Sequence, residues 1–182
     1  ETGDYAKYAS IPVPAIAEVY KLGKEVRSEL RTKKLNVPVF VALAEEDGTV
    51  DSEVTLDYFD LTMPHSKGQL VLYSSARVSH TSGRTKVKNT DLPEQRITSL
   101  SHMAVQGSPA NPYYGAQGKY RVCGWYYSNS DLFSRCKTDP DNWFGEKGDA
   151  LEKASEYGAR LSWNPFFTEL MTDVYRFVLA TK

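Results

Sequence analysis

Residues 37–44 read Val-Pro-Val-Phe-Val-Ala-Leu-Ala, and Glu45-Glu46-Asp47-Gly48 follows without a gap. An unbroken apolar run rich in β-branched and aromatic residues is the pattern of a strand buried on both faces of a parallel sheet. The four residues after it form a turn at that strand's carboxyl end, the side on which open α/β sheets bind ligands. Upstream, residues 14–32 set Ile16, Val19, Val26 and Leu30 on one face of an amphipathic helix. Downstream, residues 52–62 predict a second helix with Val54, Tyr58 and Leu61 facing inward, and Gly68 breaks it. A second apolar run, Gln69-Leu-Val-Leu-Tyr73, comes next. Strand, helix, strand over this span is a βαβ unit, which implies parallel strands and a right-handed crossover.

From Ser74 to about Leu161 the periodicity fades into Gly, Pro, Ser, Asn and Tyr, the composition of long loops with short helices. A last helix is then plain. Asn164 suits the N-cap and Pro165 the first helical position, with Phe167, Leu170, Met171, Val174, Phe177 and Val178 in a broad apolar stripe. A stripe that wide predicts packing on something large. Two strands and several one-sided helices do not complete an α/β domain. Either further strands lie in the loop-rich middle or part of the domain is absent, and the second is the expectation.

The totals bound the class. The chain has 182 residues, the size of one domain, and is 41% hydrophobic and 25% charged, which sets disorder and fibrous structure aside. The net charge of −1 comes from 22 basic and 23 acidic residues mixed along the chain, with no basic block for nucleic acid. No apolar run approaches the length of a membrane span. The start, Glu1-Thr2-Gly3-Asp4-Tyr5, has neither the basic opening nor the apolar core of a signal peptide. Cys123 and Cys136 either close a small loop by disulfide, which would favour a periplasmic or secreted protein, or stay as two reduced thiols. With no histidine beside them they offer too few ligands for zinc.

Two residues stand out for chemistry. Asp47 lies just past the end of the first strand, while Asp51, directly before the next helix, is the better N-cap and leaves Asp47 free for another role. A carboxylate so placed can fix the tautomer of a histidine and stabilise its imidazolium. The bland reading is that Asp47 only shapes the turn. Of three histidines, His102 sits in Ile97-Thr-Ser-Leu-Ser-His102-Met-Ala-Val, an apolar approach followed by small residues. His80, a few residues past the second strand, is its competitor, and His65 falls at the opposite edge of the sheet.

The stretch from Ala44 to Val50 resembles the acid loop of the α/β-hydrolase family, in which a strand ends in a small residue, two variable residues, Asp, two more and Val. The family usually has Gly where this chain has Ala44. The segment around His102 resembles that family's histidine loop, which follows the last strand and precedes the last helices. Ser108-Pro-Ala-Asn-Pro-Tyr-Tyr-Gly-Ala-Gln-Gly-Lys-Tyr120, the cysteine pair and Arg160-Leu-Ser-Trp-Asn-Pro-Phe-Phe167 look like the C-terminal parts of bacterial hydrolases with a serine-aminopeptidase or lysophospholipase-like core. The likeness runs over most of the chain from about residue 8.

The resemblance implies that residues 1–182 are the C-terminal portion of a single α/β-hydrolase domain, with residues 1–12 the end of a lid or cap. It implies Asp47 and His102 as acid and base of a Ser-His-Asp triad, an ester or lipid-like acyl substrate, and no metal or organic cofactor. The nucleophile is missing. No Gly-x-Ser-x-Gly occurs in the chain, and neither Ser101 nor Ser108 has the strained strand-to-helix setting such a serine needs. Chain order in this fold is nucleophile, acid, histidine, so the serine is expected upstream of Glu1, on an N-terminal half that would be this chain's partner. A non-catalytic member of the fold, serving as a binding or scaffold module, is the rival expectation; a self-contained small α/β domain that binds protein partners is a third. Trp125, Tyr126, Tyr127, Phe133 and Trp143 either line an acyl-binding or membrane surface or, more simply, pin down a long loop.

Overall fold

The computed structural model describes residues 12–64, 67–76, 83–146 and 157–181. Most of the lid segment, with His65 and His80, lies outside these residues. The chain is a mixed α/β structure with parallel strands. The first helix α1 (Val13–Thr32) leads into β1 (Val39–Ala44), α2 (Ser52–Thr62) and β2 (Gly68–Ser74). A strand that periodicity did not announce, β3 (Thr85–Asn89), completes a three-stranded sheet in the order β1-β2-β3. Both pairings are parallel, with Ala44 opposite Tyr73 and Ser74 opposite Asn89. The loop-rich middle therefore does hold strands. They escaped notice because β3, Thr-Lys-Val-Lys-Asn, is an edge strand whose lysines break any apolar run.

Side-chain alternation along the strands divides the interior in two. Val41, Leu43, Leu70, Leu72 and Val87 point to one face, where Leu56, Phe59 and Met63 cover them. Phe40, Ala42, Ala44, Val71 and Tyr73 point to the other, into the larger core with Ile97, Leu100, Ala104, Leu161 and Trp163. The inner face of α2 is thus Ser52, Phe59 and Thr62, not Val54 and Leu61, which are exposed. The helix is rotated so that Phe59 fills the space over Leu70 and Leu72. Asp51 caps α2 as expected, accepting from the Val54 N–H at 3.1 Å.

After β3 the chain runs through a 3₁₀ turn (Pro93–Gln95) and a buried stretch into a four-residue helix, α3 (His102–Val105). A long connection holds a second 3₁₀ turn and α4 (Ser130–Thr138), which a Cys123–Cys136 disulfide ties back to its own start. Two three-residue strands, β4 (Trp143–Gly145) and β5 (Gly158–Arg160), pair in parallel as a second small sheet. The 96–98 segment lies against β4 through Phe144 N–H to Arg96 O and Thr98 N–H to Phe144 O. Gly145 permits that approach, since a Cβ there would meet Thr98 Oγ1 at 2.2 Å.

The final helix, α5 (Phe167–Ala180), packs on the larger-core face, with Phe177 edge-on to Phe40 at 5.5 Å and Phe166 stacked near Tyr73 at 6.1 Å. Asn164 does not cap it as expected, because the helix begins three residues later. Its buried side chain instead shapes the turn: Oδ1 accepts from Phe166 N–H, and Nδ2 donates to the Tyr73 hydroxyl and Val105 O. Nor does the whole stripe find cover. Leu170 is buried, while Met171 and Val178 are exposed, and α1 buries no residue at all. Among the described residues, no helix is long and apolar enough to cross a membrane.

Candidate active site

The carboxyl ends of β1, β2 and β3 converge with the start of α3 and the end of β4. The acid loop is fixed at both ends of its turn. Glu45 N–H donates to Tyr73 O at 2.8 Å, and Glu46 Oε1 takes both the Ser75 N–H and the Ser75 hydroxyl. Ser52 Oγ closes the far side by donating to Glu45 O. Held so, the Asp47 side chain turns inward, with only 1% of its surface exposed.

Asp47 Oδ1 gathers three hydrogen bonds, from Thr49 N–H at 2.8 Å, Val50 N–H at 3.1 Å and His102 Nδ1 at 2.9 Å. Burial alone would raise the carboxyl's pKa. The two backbone N–H groups, the His102 hydrogen bond and the imidazole's charge together outweigh it and hold the carboxyl below its ordinary value. An ionised carboxylate can only accept, so the imidazole places its proton on Nδ1 and leaves Nε2 with a free lone pair. His102 itself is part-exposed, with about a third of its side chain open at 37%. It stands where the buried run Ile97–Ser101 reaches the end of β4, anchored by Ser101 Oγ to Leu161 O at 2.9 Å.

The two residues the sequence singled out are therefore brought together, across a separation of 55 positions. Ser101 is buried and donates to a carbonyl, and Ser108 Oγ accepts from Ala110 N–H at 3.2 Å.

Sequence reading missed a third member. Glu146, directly after β4, is 1% exposed, and its Oε1 pairs with Arg160 Nη2 of β5 at 2.6 Å. One oxygen of Glu146, one of Asp47 and one ring nitrogen of His102 lie within 4.8 Å of one another. Such a trio has the residue types of a metal site. In the described structure His102 Nδ1 is hydrogen-bonded to Asp47 and Glu146 Oε1 is paired with Arg160, while Asp47 Oδ2 is buried with no hydrogen-bond partner among the described residues. A lone Glu after a three-residue strand carries no periodic or motif signal. The hydrogen bonds that hold β4 and its end against residues 96–99 bring it beside the histidine. No family model, curated protein or solved structure matches this chain.

Proposed function

We propose that this chain contributes the acid and the histidine of a Ser-His-Asp serine hydrolase acting on esters or related acyl compounds, in the manner of a carboxylesterase or lipase. The observation that carries the proposal is the Asp47–His102 hydrogen bond of 2.9 Å, formed by a buried carboxylate at the carboxyl end of a parallel strand. Acid precedes histidine in the chain, the order the resemblance to α/β-hydrolases implies. Asp47 holds the imidazole by Nδ1 and stabilises the imidazolium. His102 takes the proton of an attacking serine through Nε2 and returns it to the leaving group.

The serine and the oxyanion-hole amides belong, on this reading, to polypeptide N-terminal to residue 1. Two surfaces support a partner there. One is the outer edge of β1, which among the described residues has no hydrogen-bonded neighbour on that side, and the other is the apolar face of α1, which no described residue buries. The Cys123–Cys136 bond goes with an exported protein. A non-catalytic binding module is the second reading, favoured by one fact: the chain contains no Gly-x-Ser-x-Gly elbow.

A fluorophosphonate probe applied to the purified protein, followed by intact-mass analysis, separates the two. The hydrolase reading expects a second, N-terminal polypeptide that takes the label, with labelling lost in His102→Ala. A single folded chain of 182 residues that ignores the probe would end it.

A further inference from the structure

Arg121 and Lys137 are clamped together by the cysteine bridge. Arg121 lies shortly before Cys123, Lys137 directly follows Cys136 near the end of α4, and the Cys123–Cys136 bond ties the two segments to each other. Both side chains settle on the same stretch of backbone. Arg121 Nη1 donates to Gly118 O at 2.7 Å and to Tyr120 O at 2.8 Å. Lys137 Nζ donates to Arg121 O, the next carbonyl along, at 2.5 Å. Phe144 lies against the guanidinium, its ring centre 5.1 Å away. Two like charges are thus held side by side by covalent and hydrogen bonds.

Neither cation is answered by an acid. Each is half-buried, and among the described residues neither forms an ion pair with a carboxylate. Burial pushes the Arg121 guanidinium down from its ordinary value, and burial followed by the Arg121 charge does the same to the Lys137 ammonium. A cation drawn partly out of water without a counter-charge costs free energy. Elsewhere the chain supplies the counter-charge: Arg160 has Glu146, Lys86 has Asp173 and Arg84 has Asp60. The Arg121–Lys137 pair also keeps donors in reserve. Arg121 uses only Nη1, so the Nε–Nη2 edge of its fork has no hydrogen-bond partner among the described residues, and neither atom is sealed from solvent. Lys137 Nζ makes a single hydrogen bond and has N–H groups to spare.

We propose that Arg121 and Lys137 form a binding site for a phosphate group, the open edge of the Arg121 fork holding two of its oxygens and the Lys137 ammonium supplying the second positive charge. A planar guanidinium edge matches such an oxyanion bidentately, and a dianion balances two cations set in one place. The same group occurs as the free anion and at the head of an anionic lipid. Neither residue hydrogen-bonds Asp47 or His102, so the site does not depend on the serine-hydrolase reading, and the failure of either leaves the other standing.

The test is isothermal titration of the full chain with inorganic phosphate at neutral pH and constant ionic strength, with acetate as the comparison. Saturable phosphate binding, tighter than that of acetate, is expected. Lys137→Met should weaken it by about tenfold, and Lys137→Arg, which keeps charge and donors, should retain it. A Lys137 that merely braced the loop would change stability without changing the affinity for phosphate. The proposal is overturned if the wild type shows no saturable binding, or if Lys137→Met folds and binds phosphate as the wild type does. If Lys137→Met does not fold, Arg121→Lys keeps the charge and removes the fork: weaker binding there supports the site, and unchanged binding overturns it. Sedimentation with phosphatidylcholine vesicles, with and without phosphatidic acid, then distinguishes the two sources. Binding to the phosphatidic-acid vesicles that inorganic phosphate competes away assigns a lipid headgroup, whereas phosphate saturation without vesicle binding assigns the free anion.

Discussion

The two flanks of the sheet meet opposite fates. At the carboxyl ends of β1–β3, polar side chains turn inward and are matched within the chain: Asp47 with His102, Glu146 with Arg160, Glu46 with Ser75. Along α1 and the outer half of α5, apolar side chains turn outward and no described residue covers them, with Val13 77% and Tyr175 64% exposed. The usual partition of polar outside and apolar inside is inverted in both places. Buried charge costs free energy unless it is paired, and stabilises little even when it is. Exposed apolar stripes forgo the burial that amphipathic helices gain on folding. On the proposed reading, the first inversion serves the chemistry and the second faces the partner polypeptide.

Breaking the first inversion has the largest expected effect. If the proposed hydrolase reading holds, Asp47→Asn is expected to lower turnover of a p-nitrophenyl ester by about 10⁴-fold, because the imidazole loses its tautomer. A loss below tenfold would separate the buried pair from catalysis. Core truncation comes next. Leu100, fully buried behind His102, costs roughly 3 kcal/mol on mutation to Ala by urea unfolding.

The disulfide follows in size. Its loop spans 13 positions, so replacing Cys123 and Cys136 by serine lowers stability by about 2–3 kcal/mol, measured in parallel melts with and without reductant. The Asp47–His102 contact should survive it, since neither cysteine touches that pair.

Acid sharpens the comparison further. The Asp47 carboxyl is held below its unfolded value near 3.8, so its contribution is fully present above that value and is lost as pH falls through the lower folded one. The stability gap between wild type and Asp47→Asn should therefore be open at pH 7 and close only below the ordinary carboxyl range. A gap that closes by pH 5 instead would contradict the depressed value. The smallest effect belongs to the uncovered flank. Val19→Ser on α1, at a residue 70% exposed, shifts the isolated chain by no more than about 0.5 kcal/mol. A much larger cost would show that α1 is already covered in solution.

Some of this was legible from local sequence. The run at 37–44, the turn at 45–48 and the helix at 52–62 each declare themselves within a few residues, by periodicity and by the capping aspartate. Asp51 caps because its side chain reaches a backbone N–H three positions away, a contact no distant residue can alter. That frees Asp47, and the acid loop could be named as a candidate site before any fold was known.

Other features depend on contacts that span the chain. Which face of α2 turns inward was misread, because the choice is made by the hollow over Leu70 and Leu72 and not by the helix's own pattern. β3, β4 and β5 are too short or too charged to signal themselves, and they exist because a neighbouring strand completes their hydrogen bonds. The sequence by itself determined the βαβ frame and supplied Asp47 and His102. Tertiary structure alone decided that they meet at 2.9 Å, and that Glu146 and Arg160 stand behind them. The physical reason is range: periodicity and capping act over a turn or two, whereas a buried charge finds its partner only after the whole chain has packed.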